Sequence, residues 1–218
     1  MTTKFIRQEG LIWLILIAPF VYLTFIWNSL PDQIPLHWNV NDEVDSYGPK
    51  AMGALLLPAF NIVLYLLMLF IPRIDPKRKN YEHFSGPFRM IRGWLAAFML
   101  LLFFVVLQSA MGRMLPVGKI VTGSVMLLFA MLGYYMKNIK PNWFVGIRTP
   151  WTLEDETVWE KTHLLGGKIW LYGGLAGFAM VFFLEKMGLV ILLAAIILVM
   201  VLVPVVYSWS LFSKLKKG

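Results

Sequence analysis

Leu189–Phe212 reads LVILLAAIILVMVLVPVVYSWSLF, 24 residues without an Asp, Glu, Lys or Arg. At about 1.5 Å of rise per residue, a helix over this run is longer than the roughly 30 Å of hydrocarbon in a bilayer, and it crosses with tilt. Five further runs lack acidic and basic residues: Leu11–Ser29, Ala51–Ile71, Trp94–Gly112, Ile120–Met136 and Ile169–Leu184. Ile120–Met136 and Ile169–Leu184, at 17 and 16 residues, are short and need Lys119, Lys137 or Lys168 to snorkel to the interface. The expected fold is therefore all-α, a polytopic membrane protein with six transmembrane helices.

Composition supports this reading. The 218 residues are 59% hydrophobic and 15% charged, where a soluble domain is about a quarter charged. The absence of cysteine excludes disulfides, thiolate catalysis and cysteine-bound metal. The formal charge of +8 is a topology signal: 16 of the 20 basic residues fall before the first run, in 73–92, in 137–168 or in the tail, and 4 in the alternate gaps. The positive-inside rule then places both termini in the cytoplasm. Lys4 and Arg7 precede the first run as they would in a secretory signal, but the run is long and lacks a small-residue cleavage site, so an uncleaved helix is expected. The cluster Arg73, Lys77, Arg78, Lys79, Arg89 and Arg92 suits membrane lipids or a cytoplasmic partner, with no direct nucleic acid. Two parts are expected: 1–93, a two-helix unit with an acidic outer loop at 30–50 and a basic inner loop at 73–92, and 94–218, a four-helix unit with an inner loop at 137–168.

The runs hold no ionisable side chain, which disfavours proton-coupled transport. Asn61 and Gln108 are expected to form interhelical hydrogen bonds. The three histidines, His37, His83 and His163, fall in three different gaps, and no catalytic or phosphate-cradling motif is present. No enzyme activity, cofactor or metal site is expected; the acids around His37 match no standard ligand spacing.

Two loops carry information. In 30–50, Pro31 and Pro35 favour extended backbone, and the alternation Ile34, Leu36, Trp38, Val40 suggests a short strand. Asp32, Asp42, Glu43 and Asp45 against Lys50 leave it at −3, which fits either solvated charge or a docking surface for a cationic or amphipathic ligand. In 137–168, Thr152 suits an N-cap, Glu154, Asp155 and Glu156 suit a first turn, and Gly166-Gly167 suits a helix end. An amphipathic helix over Leu153–Leu165 is expected between transmembrane helices 4 and 5, with Val158, Trp159, Thr162 and Leu165 on one face. Arg148, near Trp143 and Trp151, suits stacking or a lipid headgroup.

The run Gly146-Ile147-Arg148-Thr149-Pro150-Trp151-Thr152-Leu153, continuing through Glu156, Val158-Trp159, His163 and Gly166-Gly167, resembles the signature of the SdpI family of bacterial membrane proteins. Leu30-Pro31-Asp32-Gln33-Ile34-Pro35, His37-Trp38-Asn39 and Asp45-Ser46-Tyr47-Gly48-Pro49-Lys50 resemble the uncharacterised domain that often precedes it. The resemblance implies a multi-pass plasma-membrane protein of a Gram-positive bacterium. It also implies immunity to a secreted antimicrobial peptide, and signalling by holding a transcriptional repressor at the membrane. On this reading Asp32, His37, Trp38, Asn39, Asp42, Glu43 and Asp45 are candidate toxin-binding residues. Asn142, Gly146, Arg148, Thr149, Pro150, Trp151, Thr152, Glu156, Trp159 and His163 are candidates for a cytoplasmic partner. A small permease or exporter of an uncharged or amphipathic solute is the alternative.

Overall fold

The structure is a computed structural model that describes the backbone of residues 3–216 and the side chains of 9–216. The expectation for the termini falls partly on Met1, Thr2, Lys217 and Gly218, which lie outside the described residues. Among the described residues six helices are long and apolar enough to cross a membrane: Glu9–Ser29, Lys50–Ile74, Arg78–Ala110, Val117–Met136, Glu156–Val181 and Met187–Leu215. All six expected spans are present, several with ends beyond the charge-free runs, because a helix does not stop where its first charge appears.

The chain divides into two compact units, Met1–Met68 with Arg92–Val121, and Leu69–Ile91 with Thr122–Gly218. In the first, α1 (Thr3–Ile26) leads through a short 3₁₀ turn to a hairpin of β1 (Gln33–Trp38) and β2 (Val44–Pro49), and then to α2 (Lys50–Ile74). The hairpin is antiparallel, pairing Gln33 with Pro49, Ile34 with Gly48 and Trp38 with Val44, with an irregularity between Pro35 and Trp38. Its inner face is anchored by Ile34, fully buried with Leu23, Leu30, Ala54, Phe103 and Leu107. Gly53 permits this approach, since a Cβ there would lie 2.5 Å from the Ile34 side chain. The strand suggested by alternation is thus real and has a partner, so the protein is helical with one small sheet. The helix α3 (Ser85–Ala110) ends in a Schellman motif. Gly112, at φ +82°, lets its own amide reach Ser109 O and the Arg113 amide reach Gln108 O.

In the second unit α4 (Val117–Met136, from Thr122 onward) packs closely on α6 (Glu156–Val181), followed by α7 (Met187–Leu215). Side chains are missing where the backbones meet: a Cβ on Gly167 would lie 2.9 Å from Gly133 O, and one on Gly174 2.5 Å from Met126 O. Small residues are what membrane helices use to approach this closely. Pro204 inside α7 has no N–H to give the Met200 carbonyl four residues earlier. Trp170 Nε1 of α6 donates to that carbonyl at 3.1 Å, so the carbonyl left open by Pro204 becomes an interhelical bond.

The segment between α4 and α6 differs from its expected form. A one-turn helix α5 (Pro150–Glu154) is capped by Thr149, and α6 is capped by Asp155, whose side chain accepts from the Val158 amide. Thr152 is therefore the N3 partner of a capping box rather than the N-cap. Gly166-Gly167 does not end a separate amphipathic helix; both glycines lie inside α6, where a Cβ on Gly166 would meet the Ile147 side chain and one on Gly167 the backbone of α4. Leu153–Leu165 thus splits between α5 and the first turns of the fifth spanning helix.

Candidate functional site

The acidic hairpin is built around Asn39. Its Oδ1 accepts from the amides of Asn41 at 2.8 Å and Glu43 at 3.1 Å, and its Nδ2 donates to Glu43 Oε2 at 3.0 Å. This Asx-type turn holds Asp42 at φ +63°, a conformation that Asp tolerates better than most side chains. Asp42 Oδ1 in turn accepts from the Gly118 amide at 2.6 Å, capping the first turn of α4 from a distant part of the chain. His37 Nδ1 and Asp45 Oδ1 form a 2.5 Å pair on the exposed face. Lys50 Nζ sits 5.9 Å from the Trp27 ring centroid and 3.8 Å from an Asp32 carboxylate that is fully exposed. Of the candidate toxin-binding residues, Asp32, His37, Asp42, Glu43 and Asp45 are exposed, and Trp38 and Asn39 are half-buried. The hairpin brings all seven onto one small, internally bonded element.

The loop at 137–168 has the opposite character. Asn142 is fully buried; its Oδ1 accepts from the Phe144 and Val145 amides and from the Tyr81 hydroxyl, while its Nδ2 donates to Lys140 O and Val145 O. Asp75, also buried, accepts from the Tyr81 hydroxyl and from the amides of Lys77 and Trp143. Trp159 is buried against His163, ring centroids 4.1 Å apart and nearly parallel, and its Nε1 donates to Ile139 O. His163 Nε2 accepts from the Ile147 amide at 3.0 Å, which leaves Nδ1 to donate to Trp159 O at 2.8 Å and defines a neutral tautomer. Gly146, at φ +111°, presses so closely on His163 that a Cβ would collide with Nε2.

Thr149 and Thr152 bond to each other, and Thr149 Oγ1 reaches Ser208 Oγ on α7 at 3.0 Å. Of the ten inner candidates, Asn142, Thr149, Thr152, Trp159 and His163 are buried, Trp151 is half-buried, and Gly146, Arg148, Pro150 and Glu156 are exposed. A partner in contact with this arrangement reaches Arg148 but not the Trp159 ring. Beneath the loop lies an apolar, partly open cavity of about 170 Å³, walled by Ile91, Leu132, Met136, Val145, Ile147 and Trp170.

Charge-free runs misread one further feature. Glu9 and Arg92, each just outside a run, lie inside the first and third spanning helices, and Glu9 Oε1 accepts from Arg92 Nη2 at 2.6 Å. Tyr65 from α2 donates to Glu9 Oε2 at 2.9 Å, and Trp13 stands edge-on to the Tyr65 ring at 5.2 Å. The expectation that the spans hold no ionisable residue is therefore corrected. Placing span ends at the first charge discards the buried charges that pair there. Asn61 Nδ2 does form its interhelical bond, to Ala96 O at 3.1 Å, whereas the buried Gln108 Oε1 has no hydrogen-bond partner among the described residues.

Six apolar crossing helices, an acidic hairpin and a bonded polar loop define a multi-pass protein of the plasma membrane. Residues 138–208, which include the inner loop, match the SdpI/YfhL protein family, and residues 14–62, which include the hairpin, match a domain of unknown function (DUF1648). Over 214 residues it is 23% identical to "Immunity protein SdpI" of Bacillus subtilis (strain 168), covering 95% of this chain and 98% of that protein. No solved structure matches it.

Proposed function

We propose that this chain is an immunity protein that binds a secreted peptide toxin on its acidic hairpin, with 30–50 outside the cell and 73–92, 137–168 and both termini in the cytoplasm. The observation that carries this reading is the likeness to an immunity protein along almost the whole chain. The hairpin supports it as a pre-formed surface: bonds within the turn and the anchor at Ile34 reduce the ordering cost on binding, and exposed carboxylates attract a cationic peptide. Signalling to a cytoplasmic repressor belongs to the same proposal, with Arg148, Pro150 and Glu156 as its accessible surface.

The test is to express the chain in a toxin-sensitive cell, challenge the cell with purified peptide, and measure peptide binding to the purified protein. Protection together with direct binding is expected; protection without binding overturns the receptor reading. Sidedness is tested by single cysteines in the cysteine-free chain. Cysteine at Ser46 is expected to react with an impermeant maleimide in intact cells, and cysteine at Lys214 only after lysis.

The permease reading gains one observation, the buried Glu9–Arg92–Tyr65 group, since charges inside spans commonly mark a solute or ion path. Net solute flux into liposomes, abolished by Glu9→Gln and unaccompanied by toxin binding, would favour it.

A further inference from the structure

We propose that the second unit binds one anionic phospholipid, with part of an acyl chain in the cavity beneath the loop at 137–149 and the phosphate on Arg148. This inference does not rest on the immunity reading.

The cavity has the character such a chain requires. Its walls are aliphatic, aromatic and thioether side chains, and its volume of about 170 Å³ is that of a hole which stays dry and takes up benzene-sized apolar molecules. In a membrane protein, lipid chains are the abundant apolar molecules able to enter a partly open cavity of this kind.

The rim supplies the opposite chemistry. Val145, Gly146 and Ile147 line the cavity, and Arg148 follows immediately, exposed, held by one bond from Nη1 to Trp143 O at 2.7 Å. Among the described residues no carboxylate lies within ion-pairing distance of that guanidinium, so its remaining N–H groups are open to a phosphate, for which the planar fork is well shaped. The nearby Lys140 differs, being neutralised by Glu160 at 2.9 Å. An apolar slot whose lining backbone runs directly into a guanidinium without a carboxylate partner is complementary to an anionic lipid and discriminates against a zwitterionic one.

The buried half of the signature explains why slot and cation occur together. His163 holds the Ile147 amide and Asn142 holds the Val145 amide, so the backbone that forms the wall also sets the direction in which Arg148 leaves it.

The test uses the full chain in detergent micelles, titrated with phosphatidylglycerol or with phosphatidylcholine of the same chains and read by native mass spectrometry. The first bound lipid is expected to be phosphatidylglycerol by about tenfold, a preference equivalent to about 1.4 kcal/mol. Arg148→Gln, a surface change, should reduce the preference to within about twofold, and Val145→Phe, which fills the slot, should weaken binding of both lipids. Lys186→Gln, in a different loop, should change neither. Equal binding of the two lipids by the parent chain overturns the proposal, as does a preference that survives Arg148→Gln. Displacement of the lipid by millimolar glycerol phosphate would show that only a soluble anion is recognised, and would also overturn it.

Discussion

The hairpin at 33–49 and the loop at 137–149 are both polar interruptions in an apolar chain, and they use their polar side chains in opposite directions. In the hairpin Asp32, His37, Glu43 and Asp45 face solvent, and what holds the element is backbone pairing, the Asn39 turn and apolar Ile34. At the loop polar side chains are the core: Asn142 makes five hydrogen bonds, and from outside it Asp75 makes three and His163 of α6 uses both ring nitrogens. A distinctive run of residues therefore has different meanings in the two places. One leaves its charge exposed on the surface, and the other folds a loop that has no regular structure to satisfy its amides.

This contrast predicts different responses to mutation. The largest effect is expected at Gly146→Ala, which combines positive-φ strain with collision against His163, and at Asn142→Ala, which strands the Phe144 and Val145 amides and the Lys140 and Val145 carbonyls at once. Each should cost about 3 kcal/mol or more, read as a lower unfolding temperature in detergent. Unchanged melting of Asn142→Ala would mean that the loop is not held from within.

Next comes Asp42→Ala, the one hairpin carboxylate with a distant structural role. Loss of its bond to the Gly118 amide should cost about 1 kcal/mol, with Asp42→Asn retaining most of the stability. Equal destabilisation by Asn and Ala would show that charge, rather than capping, is what matters.

The smallest stability change belongs to Asp32→Asn, Glu43→Gln and Asp45→Asn combined, within about 1 kcal/mol because the groups are exposed. On the immunity reading the same variant should lose toxin affinity about tenfold or more at normal membrane abundance. Full protection by that triple variant would move recognition away from the hairpin and remove the functional half of the comparison.

How much was legible beforehand follows from the physics of each part. The six crossings were readable because apolar length is a property of consecutive residues, as was the extended stretch at Ile34, Leu36 and Trp38 with its alternating pattern. The resemblance at 146–153 was readable for the same reason, since it is carried by a contiguous run. The helix ends were not, because a cap depends on which oxygen reaches which amide: both Thr149 and Thr152 suit the N-cap by composition, and the capping box assigns the cap to Thr149.

The sequence by itself determined that the chain crosses a bilayer, where its charges concentrate and which loops are distinctive, since all three are sums over neighbouring residues. Only the tertiary structure decided that Gly166-Gly167 continues a helix, because the reason is the Ile147 side chain pressed on Gly166 and the backbone of α4 pressed on Gly167. It alone decided that Trp170 satisfies the carbonyl freed by Pro204, and that Trp159 is buried against a histidine. Glu9 and Arg92 are the plainest case: 83 positions apart, each reads as a charge at a helix end, and buried together at 2.6 Å they form an ion pair that each requires the other to sustain.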